Sequence, residues 1–248
     1  MGKIKTGFVN YLNTKPLLYG IEHSPVNELI EPTMGYPAAI ASLLEENKLD
    51  LGLIPVTVIP RLSNASIISD YCIGCNGAVA SVCIFSEVPI EQVEVVMMDY
   101  QSRTSVQLAK ILLRQYWKSK AEFKQATPDF RDSIKGPIAG LVIGDRAFEQ
   151  RKISPYIYDL GEAWKKFTGL PFVFAAWVSN KPLDKQFILQ FNNANGNGIE
   201  KIQEVVEKFP FALFDLEYYY RHCISYQLDD EKQKGLELFL EMASVVVA

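Results

Sequence analysis

Apolar residues fall into two patterns along this chain: short runs bounded by Gly, Pro or Asn, and longer stretches with helical spacing. Residues 3–9 predict a first strand that closes on a polar loop, Asn10-Tyr11-Leu12-Asn13-Thr14-Lys15-Pro16. Tyr36, Ile40, Leu43 and Leu44 share one helical face, which predicts a helix over 36–46. Residues 49–55 predict a short strand stopped by Pro55, and a short helix follows over 57–62. This β-loop-α-β order marks a parallel α/β unit.

A second such stretch follows. Strands are predicted over 78–85 and 94–98, then a helix that starts near Ser102 and runs to Trp117. Its apolar face carries Val106, Ala109, Leu112, Leu113 and Tyr116. Residues 139–143 predict a strand ending at Gly144-Asp145, 161–167 an amphipathic helix, and 172–178 a buried strand. From residue 183 the pattern predicts helices only, over 183–193, 199–208, 215–223 and 229–246, with the Asn- and Gly-rich 192–198 as a break. The fold class expected is α/β and bilobal: two α/β lobes, a central cleft and a helical C-terminal tail. Residues 1–86 plus 179–248 form the first expected lobe and 87–178 the second.

Composition narrows the partners. Of 248 residues, 48% are hydrophobic and 22% charged, which suits a globular chain with a sizeable core. The net charge of −4 argues against nucleic acid or an anionic membrane surface as partner. An anionic ligand must then be held by local donors inside a cleft. No long apolar run follows the N-terminal lysines, so no signal peptide is expected and the cytoplasm is the expected compartment. Monomer and homodimer both remain open.

Cys72 and Cys75 form a C-x-x-C pair, but in an extended, glycine-rich segment and not at a helix start, where a redox pair would gain its lowered pKa. Cys83, Cys223, His23 and His222 show no zinc-ligand spacing, so no metal is expected. Phosphate-binding, dinucleotide, zinc-protease and serine-hydrolase strings are all missing.

The candidate residues therefore sit where strands end, the place at which α/β sheets bind ligands. They are Asn10, Tyr11 and Asn13 after the first strand, Pro55 after the third predicted element, and Ser102, Arg103, Thr104 and Ser105 at the start of a helix. Asp145 after the 139–143 strand and Ser81 within an apolar strand complete the set. Hydroxyls and N–H groups at a helix start suit a carboxylate, although Ser102 or Thr104 also reads as a plain N-cap, as does Asp145. Arg103 reads either as surface or as the counter-charge to a carboxylate. Phe172, Phe174 and Trp177 read first as core.

The segments VNYLNTKPL, LDLGLIPV, IGCNGAVASVCIFS, DYQSRTSVQLAKILL, GPIAGLVIGDRA and YDLGEAWKKFTGLPFVFAAWV occur in that order. As an ordered set they resemble the chorismate dehydratase family of menaquinone biosynthesis, over residues 8–178. The resemblance implies a type II periplasmic-binding-protein-like fold turned into an enzyme. It implies chorismate, a small dianion, as substrate, and 3-[(1-carboxyvinyl)oxy]benzoate plus water as products, with no cofactor. By position the family's active-site asparagine falls on Asn13, its strand serine on Ser81, and its hydroxyl loop on Ser102, Thr104 and Ser105. Two alternatives stand beside it: a solute-binding or sensory module of the same fold, and the sister 1,4-dihydroxy-6-naphthoate synthase.

Overall fold

The computed structural model describes residues 2–246. Its strands build two sheets. The first holds β1 (Ile4–Val9), β2 (Ile30–Gly35), β3 (Leu51–Pro55), β4 (Ser66–Cys75), β10 (Phe172–Ser179) and β11 (Ser225–Gln227) in the order β11-β4-β10-β3-β1-β2. The second holds β5 (Val82–Ser86), β6 (Val95–Met98), β7 (Glu122–Gln125), β8 (Ile138–Ile143) and β9 (Tyr156–Asp159) in the order β7-β6-β8-β5-β9. In each sheet a parallel trio sits beside antiparallel strands: β2-β1-β3 in the first, β7-β6-β8 in the second. Every residue of β3, β5 and β10 is buried, which is why these strands read as unbroken apolar runs without alternation.

Among the described residues ten helices cover the sheets. They are α1 (Lys15–Glu22), α2 (Val26–Leu29), α3 (Pro37–Glu45), α4 (Arg103–Ile111), α5 (Arg146–Gln150), α6 (Leu160–Thr168), α7 (Lys185–Glu200), α8 (Ile202–Lys208), α9 (Leu216–Tyr218) and α10 (Asp230–Val246). No helix among the described residues is long and apolar enough to cross a membrane.

Four differences from the sequence reading have physical causes. The loop expected after β1 is only a short one. A 3-10 turn at Leu12–Thr14 leads straight into α1, with Pro16 in its first turn, where the missing N–H does no harm. The expected break at 192–198 lies inside α7. Its small residues serve a close helix crossing. A Cβ on Gly20 would sit 1.9 Å from the carbonyl oxygen of Ala194, and one on Gly198 would sit 2.0 Å from that of Pro16. Asn195 is buried there, accepting from Trp177 Nε1 at 3.2 Å and donating to the Phe191 carbonyl at 2.7 Å. The tail is not purely helical either, because β11 adds an edge strand against β4. Finally, the helix expected to reach Trp117 turns π-helical over Leu112–Tyr116.

The chain also crosses between sheets earlier than residues 86 and 178. β5 pairs with β8 and β9 in the second sheet, and β10 pairs with β3 and β4 in the first. The strand expected over 78–85 begins only at Val82. Gly77 and Ala80 hold positive φ (125° and 62°), which bends the chain out of β4 before β5 starts. Asp159 binds the two crossings together. Its carboxylate accepts from Val79 N–H and Ala80 N–H on the outward crossing (3.0 and 2.7 Å) and caps α6 on the return through Gly161 and Glu162 N–H (3.0 and 3.1 Å).

Candidate functional site

The carboxyl ends of β1, β3 and β8 meet the start of α4 between the two sheets. They enclose a cavity of about 40 Å³ lined by Tyr11, Asn13, Pro55, Ser102, Ser105 and Phe174, among others. That volume admits a few waters at most. Substrate-sized pockets run to about 300 Å³ and more, so entry of a small molecule requires the sheets to part. A second depression, about 450 Å³, adjoins this cavity at Ser102 and is lined from α4, the turn after β3 and α10.

What must part is a set of polar contacts across the cleft. The Ala38 N–H donates to the Gln101 carbonyl at 3.1 Å. The Leu12 N–H donates to Asp145 Oδ1 at 3.0 Å. The Tyr11 hydroxyl donates to Gln101 Oε1. The Thr57 N–H donates to Thr104 Oγ1 at 3.3 Å. Arg103 Nη1 pairs with Glu45 at 2.9 Å, and its Nη2 donates to Ser42 Oγ at 3.0 Å.

The candidate residues thus fall into groups. Tyr11, Asn13, Pro55, Ser102 and Ser105 share the cavity. Ser102 also caps α4, accepting from the Ser105 N–H at 3.2 Å and the Ser105 hydroxyl at 3.0 Å, so capping and cavity lining coexist in one residue. Thr104 is buried and turned toward Thr57. Ser81 is fully buried, 2.7 Å from the Tyr219 hydroxyl. Asn10 is exposed and takes Lys15 Nζ at 3.5 Å. Arg103 is spent on Glu45 and Ser42, and so faces away from the cavity. Asp145 stands at the N-cap position of α5 without capping it, because its carboxylate is directed to the Leu12 N–H. Gly144 makes this approach possible: at φ 65° it lets the β8 end lie against the Tyr11 ring, where a Cβ would come within 2.8 Å.

Phe172 and Trp177 are core, packed edge-on against Trp164 and Phe8 respectively, while Phe174 reaches the cavity. Cys72 and Cys75 are buried free thiols on β4, and burial pushes Cys72 up to about 12, which keeps it protonated. Among the described residues no His, Cys, Asp and Glu cluster has the geometry to hold a metal.

Sequence reasoning missed an ion pair beside Tyr11. Arg146 Nη2 donates to Asp99 Oδ2 at 2.7 Å and to Gln101 Oε1 at 2.8 Å. Asp99 also accepts from the Gln101 and Ile143 N–H groups at 2.9 and 3.4 Å. Burial holds the Asp99 carboxyl above its ordinary range, against the pull of Arg146. Burial opposes the charge on Arg146 too, but Asp99 outweighs it and the guanidinium stays charged. Asp145 is likewise raised by burial, with only the Leu12 N–H, Lys15 and Arg146 pulling back. The available signal was position: Arg146 follows Asp145 at the end of β8, and Asp99 follows the end of β6. Three tail tyrosines were missed as well. Tyr219 meets Ser81, Tyr226 donates to the Asn13 carbonyl at 3.0 Å, and Tyr220 lies buried between them in sequence.

The fold resembles known periplasmic-binding-protein-like structures. A protein of Archaeoglobus fulgidus superposes with a TM-score of 0.75 over 99% of this chain and 98% of its own, at 15% identity. A Candida albicans protein described as having the generic periplasmic binding protein structural fold superposes with a TM-score of 0.65, covering 100% and 92%, at 12% identity. In sequence, a chorismate dehydratase of Thermus thermophilus is 24% identical over 259 residues, 95% of this chain and 93% of the relative. The pattern of the family described as menaquinone biosynthesis matches residues 4–245. From the first strand to the last helix, this chain belongs to the menaquinone biosynthesis family.

Proposed function

We propose that the chain is a chorismate dehydratase, a carbon–oxygen lyase that removes water from chorismate to give 3-[(1-carboxyvinyl)oxy]benzoate. The observation that carries the reading is the likeness to a chorismate dehydratase along nearly the whole of both chains. The cavity between the sheets is where the substrate would enter, with the lobes taken as residues 1–86 plus 179–248 and 87–178 apart from the two early crossings. The cytoplasm is the compartment this reading implies.

The chemistry asks little of a strong base. The C3–H bond breaks, its electrons form the new ring double bond, and the C4–O bond releases the hydroxyl, which leaves as water once protonated. The product ring is aromatic, so the driving force lies in the substrate. The side-chain carboxylate of chorismate takes the C3 proton in this scheme. Asn13, whose side chain accepts from the Thr14 hydroxyl at 3.2 Å, orients that carboxylate. Ser102 and Ser105, at the start of α4, supply donors and the positive end of a helix to an anionic group. The protein then acts by holding a reactive conformer and by excluding water as the sheets close.

The test is incubation of the purified, chelator-treated protein with chorismate, followed by chromatography and mass spectrometry. Loss of one water without an added cofactor is expected. Thermal protection by chorismate without turnover would reassign the chain as a binding module. Absence of both turnover and protection would overturn the substrate assignment, and the cyclic precursor of the sister synthase would then be the next compound to try.

A further inference from the structure

Tyr219 and Tyr220 open a π-helical turn, Tyr219–Cys223, that directly follows α9. Such turns shift the helical register and recur at functional sites. Both tyrosines are buried, each about 1% exposed. The tail thereby sends tyrosines toward the candidate residues from behind: Tyr219 to the Ser81 hydroxyl at 2.7 Å, and Tyr226 to the Asn13 carbonyl at 3.0 Å.

Tyr220 differs from both. Its hydroxyl is buried and has no hydrogen-bond partner among the described residues. A phenol that has left water without finding a partner destabilises the folded state, and such groups in native proteins call for a reason. Burial foremost, and the nearby Asp145 carboxylate after it, push the Tyr220 phenol up, so it remains a neutral donor. The Tyr220 ring lies 5.6 Å from that of Tyr219, whose hydroxyl meets Ser81, so the two phenols form one buried cluster behind that serine.

We infer that Tyr220 is a substrate-binding residue whose hydroxyl donates to an anionic oxygen of the bound ligand, beside Asn13 and Ser81. The inference rests on the dianionic substrate proposed above. In the ligand-free protein the donor waits unpaired, and the ligand supplies the acceptor. Binding energy is thus built into a group that costs stability until the site fills.

Tyr220→Phe tests this by the sign of two effects. The ligand-free variant keeps or raises the wild-type Tm, whereas Tyr219→Phe, which strands Ser81, lowers it. At the same time the Tyr220→Phe variant raises the Kd and KM for chorismate about tenfold, the loss expected for one hydrogen bond to a charged group. A variant that is less stable than wild type and binds chorismate normally would overturn the inference, since the hydroxyl would then be a structural group satisfied by buried water. If wild-type protein neither binds nor converts chorismate, the substrate reading has failed, and Tyr220 is judged on stability alone: a lower Tm for the variant overturns the orphan-donor assignment, and an equal or higher one upholds it.

Discussion

The back of the first sheet and the cleft between the sheets follow opposite rules. Where α1 crosses α7, Gly20 and Gly198 bring backbones together so closely that neither position has room for a methyl group. The buried amide there is satisfied on both sides, by Trp177 and Phe191. Around the cleft, by contrast, Arg146 Nε, and behind Ser81 the Tyr220 hydroxyl, are buried with no partner among the described residues, and two carboxyls are held above their ordinary range by burial. One region is finished by folding, and the other is left incomplete for something that arrives later. The comparison teaches that close packing and polar satisfaction mark the scaffold, whereas unsatisfied polar groups held by that scaffold mark the site.

The sharpest way to break the comparison is to disturb its finished half. Gly20→Ala places a Cβ against backbone atoms that cannot turn away, and is expected to destabilise by about 3 kcal/mol or more, or to prevent folding. Chemical denaturation of the variant checks it, and a loss under about 1 kcal/mol would show that the crossing is looser than described. Next in size is Asn13→Ala. Its expected signature is a drop in kcat of about 10²-fold or more, the scale for losing one preorganised polar group, with little change in Tm. Near-normal turnover would remove Asn13 from the chemistry.

Asp145→Asn sharpens the other half. The native carboxyl is raised by burial, so the folded state favours its protonated form. The charged form therefore weakens the fold above the folded pKa, and the penalty fades as pH falls toward the unfolded value near 3.8. Asparagine retains an oxygen for the Leu12 N–H but carries no charge. Its Tm without substrate should exceed that of wild type at neutral pH, with the gap closing in acid; a gap that widened in acid would contradict the assignment. The smallest effect belongs to Glu45→Ala. The Arg103–Glu45 pair is about a third exposed, and its loss should cost under about 1 kcal/mol. Because the pair spans the cleft, the variant should bind chorismate with a faster on-rate in stopped-flow, and an unchanged rate would show that the pair does not restrain opening.

The legible and illegible parts of the site divide along similar lines. Asn13, Tyr11, Ser102, Ser105 and Pro55 were readable because they end strands or open a helix, and that position alone aims them into the cleft. The pairing of Arg103 was not legible, because its partner, Glu45, is distant in sequence and nothing near it signals the contact. Tyr220 carried only a helical-core signature, since a buried phenol and a buried phenylalanine give the same periodicity. The 192–198 segment looked like a break because Asn and Gly are poor helix formers, a local preference of up to about 1 kcal/mol per residue that close packing overrode.

By itself the sequence determined the α/β class, the burial of β10, the polar strand ends and the family likeness, because periodicity and local order are properties of neighbours along the chain. The tertiary structure alone decided which sheet β5 and β10 join, that β11 closes an edge, and that tail tyrosines lie behind Ser81 and Asn13. Those outcomes depend on pairing and packing between residues far apart in sequence, and no local pattern encodes which distant partner a strand or a phenol will meet.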